Sequence, residues 1–241
     1  MEEAFRGLRT NLRFVMSDEQ KVILCTSCIP GEGKSFVSTN LAMSLALSGK
    51  KVIVIGLDIR KPRLVKLFGL PANKRGITTF LSSSDHGFEL LDEQIVHGVA
   101  NPNLDVLPAG IIPPNPGELV TREQLDIAIS LLKEHYDYVI LDTPPVGLVS
   151  DTLSIARVAD VSLVVCRADY SPRSNFALIN ELQKTSKLPR VSLVLNGVDL
   201  KKRKYGYYYG YGKYGKYGHY GHYGVYGHYG QHSEKTAHTE K

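Results

Sequence analysis

Pro30-Gly31-Glu32-Gly33-Lys34-Ser35-Phe36 is the stretch of this 241-residue chain whose residue types and spacing carry the clearest chemistry. Glycines let backbone N–H groups converge on phosphate oxygens, and a following helix N-terminus adds positive potential. Lys34 then reaches the β- and γ-phosphates while the Ser35 hydroxyl can ligate Mg²⁺. The pattern G-x-x-x-x-G-K-[ST] would place its first glycine at residue 28, where Cys28 stands, so the match is incomplete. Its context is that of a phosphate site: the apolar run Val22-Ile23-Leu24-Cys25 comes before it, and Val37, Leu41 and Leu45 recur at helical spacing after it. Residues 30–36 are therefore expected to cradle the phosphates of ATP, with Mg²⁺ as the companion ion.

Two aspartates end apolar runs and so fall where a parallel α/β sheet opens its ligand crevice. Asp142 closes Tyr138-Val139-Ile140-Leu141-Asp142, the pattern of a Walker B carboxylate that holds Mg²⁺ directly or through water. Asp58 closes Val52-Ile53-Val54-Ile55-Gly56-Leu57-Asp58 and is followed by Arg60 and Lys61. Each also fits a helix N-cap or a plain loop carboxylate. Ser35 and Asp142 are the residues expected at the metal, and Lys34 the residue expected at the phosphates. Asn196, at the end of Val194-Leu195-Asn196, offers an amide donor and acceptor for an adenine, or simply a turn residue.

The elements that must position these residues alternate. Strands are expected at 22–25, 52–57, 104–107, 138–141, 161–166 and 191–195, apolar enough to be buried on both faces. Helices are expected after the phosphate loop with Gly49 as a stop, over about 117–135, and over about 172–186 with Pro172 in the first turn. The fold class is α/β: a P-loop NTPase-like, mostly parallel central sheet flanked by helices.

Beyond about residue 203 the composition changes. Eleven of the fourteen tyrosines lie at Tyr205, Tyr207, Tyr208, Tyr209, Tyr211, Tyr214, Tyr217, Tyr220, Tyr223, Tyr226 and Tyr229, the last seven at every third position. With almost no aliphatic residues, this stretch cannot bury enough apolar surface to offset its ordering entropy and is expected to be a disordered tail. Residues 201–241 hold eight Lys/Arg against two Glu, so the net charge of +5 belongs to the tail and the rest is close to neutral. A neutral core argues against a broad nucleic-acid face. Three cysteines without framework spacing point to a reducing compartment, with structural roles for Cys25 and Cys28. No apolar run reaches the roughly twenty residues needed to span a bilayer, and no signal peptide opens the chain.

Taken together, these motifs resemble the bacterial tyrosine kinases, or BY-kinases, over most of residues 2–200 and into the tyrosine cluster. The Walker A residues 30–35, an additional A′ motif ending Leu57-Asp58-Ile59-Arg60-Lys61-Pro62, and Walker B at 139–142 occur in the family's order. Pro113-Pro114-Asn115-Pro116-Gly117-Glu118-Leu119 resembles its proline-rich signature. The chain departs from the family at Gly56, where an aspartate commonly precedes the retained Asp58 by two residues.

The resemblance implies an ATP-dependent tyrosine autokinase domain over 1–203 and an autophosphorylated tail over 204–241, with Asp58 joining Ser35 and Asp142 at the metal, orienting an incoming tyrosine hydroxyl, and completing a catalytic set of Lys34, Asp58 and Asp142. Glu3, Arg6 and Arg9 match an E-x-x-R-x-x-R pattern linked to self-assembly, which implies a ring-like oligomer, by resemblance an octamer, built through a helix over 2–16. In it one subunit's tail enters a neighbour's site. It further implies a transmembrane activator in cis or in trans, a tyrosine phosphatase, a cytoplasmic position at the inner face of the bacterial membrane, and regulation of capsular or extracellular polysaccharide export.

Two other readings stay open at this point. A partitioning or positioning ATPase like ParA or MinD shares the deviant loop, but those proteins usually carry an early lysine within the stretch occupied here by Ser27-Cys28-Ile29. A nucleotide-gated interaction module would keep the fold and leave the tail to another kinase.

Overall fold

Runs of Val, Ile and Leu without alternation fold as strands covered on both faces, because every side chain then finds an apolar partner. The computed structural model describes residues 2–71 and 75–199. It contains β1 (Val22–Ser27), β2 (Val52–Gly56), β3 (Leu104–Leu107), β4 (Tyr138–Asp142), β5 (Val161–Arg167) and β6 (Val191–Asn196). All pair in parallel in the order β3-β2-β4-β1-β5-β6. All six expected strands form, within a residue or two at their ends. The tail tyrosines and the expected boundary at 203 lie outside the described residues.

Helices cover both faces. On one lie α1 (Glu2–Val15), α2 (Lys34–Ala46) and α3 (Leu64–Leu67). Their Leu12, Leu41, Leu45 and Leu64 pack on Ile23, Val54, Val106 and Ile140 of the sheet. On the other face lie α4 (Ile77–Ser82), α5 (Phe88–Asp92), α6 (Pro116–Leu119), α7 (Glu123–His135), α8 (Asp151–Ile155) and α9 (Asn175–Lys184). Phe80, Leu125, Leu132 and Leu182 are buried there with Leu24, Ile55 and Leu141. Gly49 ends the turn after α2: its φ of +83° suits glycine, and its N–H donates to the Ala46 carbonyl at 3.0 Å.

Three expectations need correction. The helix expected over 117–135 is two, α6 and α7, broken at 120–122. Thr121 turns its own hydroxyl onto the Glu118 carbonyl at 2.7 Å, and Arg157 donates to the Val120 and Arg122 carbonyls at 2.9 Å each. Those bonds satisfy the carbonyls that a continuous helix would have paired. The helix expected from 172 begins at Asn175, because the N–H groups of Asn175, Phe176 and Ala177 bond to carbonyls only three residues back. Strand β6 is not buried on both faces either. As the edge strand it pairs only with β5, and Leu193 and Leu195 are 52% and 62% exposed.

α1 is tied to the domain chiefly by Leu12, its one buried residue. Leu12→Ala is expected to destabilise the protein by about 2–5 kcal/mol, through lost transfer energy and the cavity left behind. Urea denaturation followed by circular dichroism would show this as a lower midpoint; an unchanged midpoint would mean that α1 is not part of the folded unit.

Candidate functional site

The loop after β1 and the first turn of α2 line a cavity of about 410 Å³ at the C-terminal ends of the strands. Gly31 and Gly33 have φ of +87° and +98°, a region that L side chains rarely adopt. A Cβ on Gly33 would also lie 2.2 Å from the Asn196 amide nitrogen. Cys28, at the position of the missing first glycine, is not among the residues with positive φ, so its backbone does not require glycine.

Three consecutive carbonyls of the loop are held from outside. Tyr170 Oη donates to the Pro30 oxygen at 2.9 Å, Arg167 Nη1 to the Gly31 oxygen at 3.2 Å, and Asn196 Nδ2 to the Glu32 oxygen at 3.0 Å. In a planar trans peptide the N–H of the next residue points the opposite way. The amides of Gly31, Glu32 and Gly33 are thereby turned away from these donors. The Glu32 side chain, expected among the phosphate contacts, is fully buried and faces away from the cavity. It accepts from the Ile29 N–H at 2.8 Å and from the Ser171 hydroxyl, with Asn175 Nδ2 at 3.4 Å. Its backbone alone can serve a phosphate; its carboxylate braces the loop. Asn196, expected at an adenine, here spends its amide N–H₂ on the loop and its oxygen on the Gly197 N–H at 2.9 Å.

Inside the cavity the charges converge. Lys34 Nζ lies 2.9 Å from Asp58 Oδ2, 3.6 Å from Asp142 Oδ1 and 3.3 Å from Ser35 Oγ. The parallel register of β2 on β4, which sets Gly56 beside Asp142, brings these carboxylates together from 84 positions apart in sequence. Asp142 Oδ1 is buried and makes no hydrogen bond among the described residues. Burial pushes the Asp142 carboxyl above its ordinary value. Lys34 and the Ser35 hydroxyl pull it down, and Asp58 adds to the rise. Asp58 Oδ1 accepts from the Lys61 N–H at 3.1 Å, which fixes the carboxylate at the cavity wall. A side chain at position 56 would be tightly packed: a Cβ there would sit 3.2 Å from the Ala109 nitrogen and 3.3 Å from Leu64 Cδ1.

The cavity also holds residues to which the sequence assigned no role. Arg60 pairs through two nitrogens with Asp151, at 2.7 and 3.1 Å, a partner 91 residues away that no local pattern signals. This carboxylate holds the Arg60 guanidinium above its ordinary pKa. Arg63, Leu67, Leu148 and Val149 complete the mouth. Phe36 lines the cavity and meets Phe5 of α1 edge-on, ring centroids 5.9 Å apart. Glu3, Arg6 and Arg9 do not share one free face. Arg6 pairs with Glu2 at 2.6 Å and with Glu3 at 3.6 Å, whereas Arg9 donates to the Ser44 carbonyl of α2 at 2.6 Å and so anchors α1.

A parallel sheet whose first strand runs through a glycine loop into a helix carrying Lys-Ser, with acidic residues ending the neighbouring strands, defines a P-loop nucleotide-binding fold. The comparisons narrow that class. The family model described as an AAA domain matches residues 20–193. Tyrosine-protein kinase CpsD of Streptococcus agalactiae is 35% identical over 212 residues, which cover 88% of this chain and 90% of that protein. Tyrosine-protein kinase YwqD of Bacillus subtilis is 38% identical over 208 residues, 86% of this chain and 85% of its own. The solved kinase domain of the Escherichia coli tyrosine kinase Etk superposes with a TM-score of 0.76 at 33% identity, over 87% of this chain and 80% of that one. The chain belongs to the bacterial tyrosine kinase family, as its sequence motifs led us to expect.

Because the folded-state pKa of Asp142 is raised, folding takes up a proton there. Its contribution to stability is fully present below the ordinary carboxylate value of 3.8 and is lost as pH rises through the higher folded value. Asp142→Asn is therefore expected to melt at a higher temperature than the parent at pH 7. The difference should shrink as pH falls and the parent carboxyl protonates; a variant less stable at every pH would overturn the assignment of this strain to Asp142.

Proposed function

We propose that this protein is an ATP-dependent tyrosine autokinase that phosphorylates its own C-terminal tyrosine cluster in trans within an oligomer. The observation that carries this reading is the Lys34 ammonium held between Asp58 and Asp142 at the end of a glycine loop. In the resting site the carboxylates keep Lys34 at the mouth of the loop. When ATP enters, the loop amides and Lys34 take the phosphates, and Asp58, released from Lys34, turns its oxygen toward the acceptor hydroxyl. The phenol oxygen forms its bond to the γ-phosphorus as the bond to the bridging oxygen breaks. ADP leaves with that electron pair, and the phenolic proton passes to Asp58 or water. A phenol has a reference pKa near 10, so orientation by Asp58 counts for more than base strength.

Mg²⁺ fits the residues present. The buried Asp142 Oδ1 makes no hydrogen bond among the described residues, and two carboxylates against one ammonium leave one negative charge in excess when both are ionised. Ser35, Asp58 and Asp142 would hold the ion, completed by phosphate oxygens and water, and when bound it would offset charge on the transferring phosphoryl group. By family likeness the partners are further copies of this chain, a transmembrane activator in cis or in trans and a tyrosine phosphatase, and the output is control of capsular or extracellular polysaccharide export at the membrane. No helix among the described residues is long and apolar enough to cross a membrane, so on this reading the activator or a preceding segment supplies that contact.

Incubation with Mg²⁺-ATP followed by intact mass and peptide mapping tests the reading. Phosphate on Tyr205–Tyr229 that disappears in Lys34→Met is the expected result, and an unmodified tail with ATP bound, even beside the activator, would refute it. Asp58→Asn is expected to keep nucleotide affinity within a few-fold while transfer drops by about 10²–10⁴, the range for losing a positioned acid–base group. Full transfer in that variant would exclude the role. Arg6→Ala is expected to shift the assembly toward monomers in analytical ultracentrifugation and to slow tail phosphorylation; an unaltered oligomer would reject Arg6 as an assembly contact.

A further inference from the structure

The mouth of the catalytic cavity carries two cations that the transfer chemistry does not use. Lys61 and Arg63 both line it, both are exposed, and neither side chain has an ion-pair partner among the described residues. Their neighbour Arg60, by contrast, is neutralised by Asp151. Position 61 is fixed to the site because its N–H bonds Asp58 Oδ1, and Arg63 stands immediately before α3. Two unpaired cations at the entrance to a site that works on phosphate call for an anion, and a guanidinium matches phosphate oxygens with two parallel N–H bonds.

The acceptor segment is itself cationic. Lys213 and Lys216 sit among the tyrosines, and no acidic residue falls between Tyr205 and Tyr229. An unmodified tail therefore approaches Lys61 and Arg63 against like charge, a penalty screened within about 10 Å at 0.1 M salt. Each phosphate added to a tyrosine brings about −1.5 to −2 charges and reverses that penalty. The tyrosines recur every third residue from Tyr211 to Tyr229, and three extended residues span about 10 Å. A tyrosine ring at Asp58 would have its neighbour about 10 Å along an extended acceptor chain, and Leu67, Pro145 and Leu148 supply apolar surface in the same cavity as Lys61 and Arg63.

We propose that Lys61 and Arg63 form a phosphotyrosine-reading lip, so that a tail already carrying one phosphate is the preferred acceptor for the next transfer. The proposal rests on the kinase reading above and gives the cluster a built-in order: a slow first phosphate, then faster neighbours. It also gives the regular spacing a purpose, since a tyrosine out of step would not place its neighbour's phosphate at the lip.

The test uses the full chain with its eleven tail tyrosines replaced by phenylalanine, so that only an added peptide accepts phosphate. Two synthetic peptides copy residues 211–223, one unmodified and one carrying phosphate on Tyr217, and kcat/KM is measured for transfer to Tyr214 and Tyr220. The primed peptide is expected to react about tenfold better, the scale of one charge-assisted phosphate contact, with the preference shrinking as salt rises. Lys61→Gln with Arg63→Gln should abolish the preference, and Arg63→Lys alone should keep part of it. Equal rates for the two peptides with the parent chain, or an undiminished preference in the double variant, would overturn the lip while leaving the kinase reading intact. No transfer to either peptide, with the activator present, would overturn both. If the double variant transfers to neither, fluorescence anisotropy of the labelled primed peptide decides: weaker binding than to the parent supports the lip, and unchanged binding overturns it.

Discussion

The structure turns on one buried ammonium between two carboxylates. Lys34, Asp58 and Asp142 expose only 10%, 10% and 2% of their side chains, and a charge so far from water costs several kcal/mol unless it is paired. Lys34 can be buried because both carboxylates are there. The carboxylates can be buried because the ends of β2 and β4 hold them beside it. Burial raises the Asp142 carboxyl more than Lys34 and Ser35 lower it, and the neighbouring Asp58 adds to the rise. The resting site is therefore stable yet poised for added positive charge and for a phosphate that draws Lys34 away.

The rest of the fold serves that arrangement from two sides. On one, α1 and α2 pack on the sheet, and α1 is pinned by Leu12 and by the Arg9 bond to Ser44, so that Phe5 reaches the cavity residue Phe36. On the other, the end of β5 and the segment after it supply Arg167, Tyr170 and Ser171, which grip the phosphate loop by its carbonyls and through Glu32. The loop is thus shaped by side chains more than 130 residues downstream. Its amides owe their direction to contacts that an isolated loop would lack.

The same long-range logic explains which cysteines and tyrosines are inert. Burial raises the Cys25 thiol far above its ordinary value. Cys28 rises to about 12, first through burial, then through Glu32 and Cys166. Both act as small apolar residues packed under the loop. Tyr136 is raised by burial and by its hydrogen bond to Asp105 at 2.6 Å, so it is a structural donor.

What the sequence determined by itself is local. Predominantly apolar runs announced all six strands, because strands inside a parallel sheet leave short apolar stretches in the sequence. The Gly-Lys-Ser loop, Asp58 and Asp142 were legible because chemistry at a strand end leaves a residue type at a set spacing. The break between α6 and α7 was not legible, since Arg157 from a distant turn satisfies the carbonyls that make it possible. Nor was the edge character of β6, which strand order alone imposes. The buttressing role of Glu32 and the Arg60–Asp151 pair depend on residues far apart in the chain. Sequence spacing carries the identity of a charged group, but its partner, its burial and hence its energy are set by what the tertiary fold brings beside it.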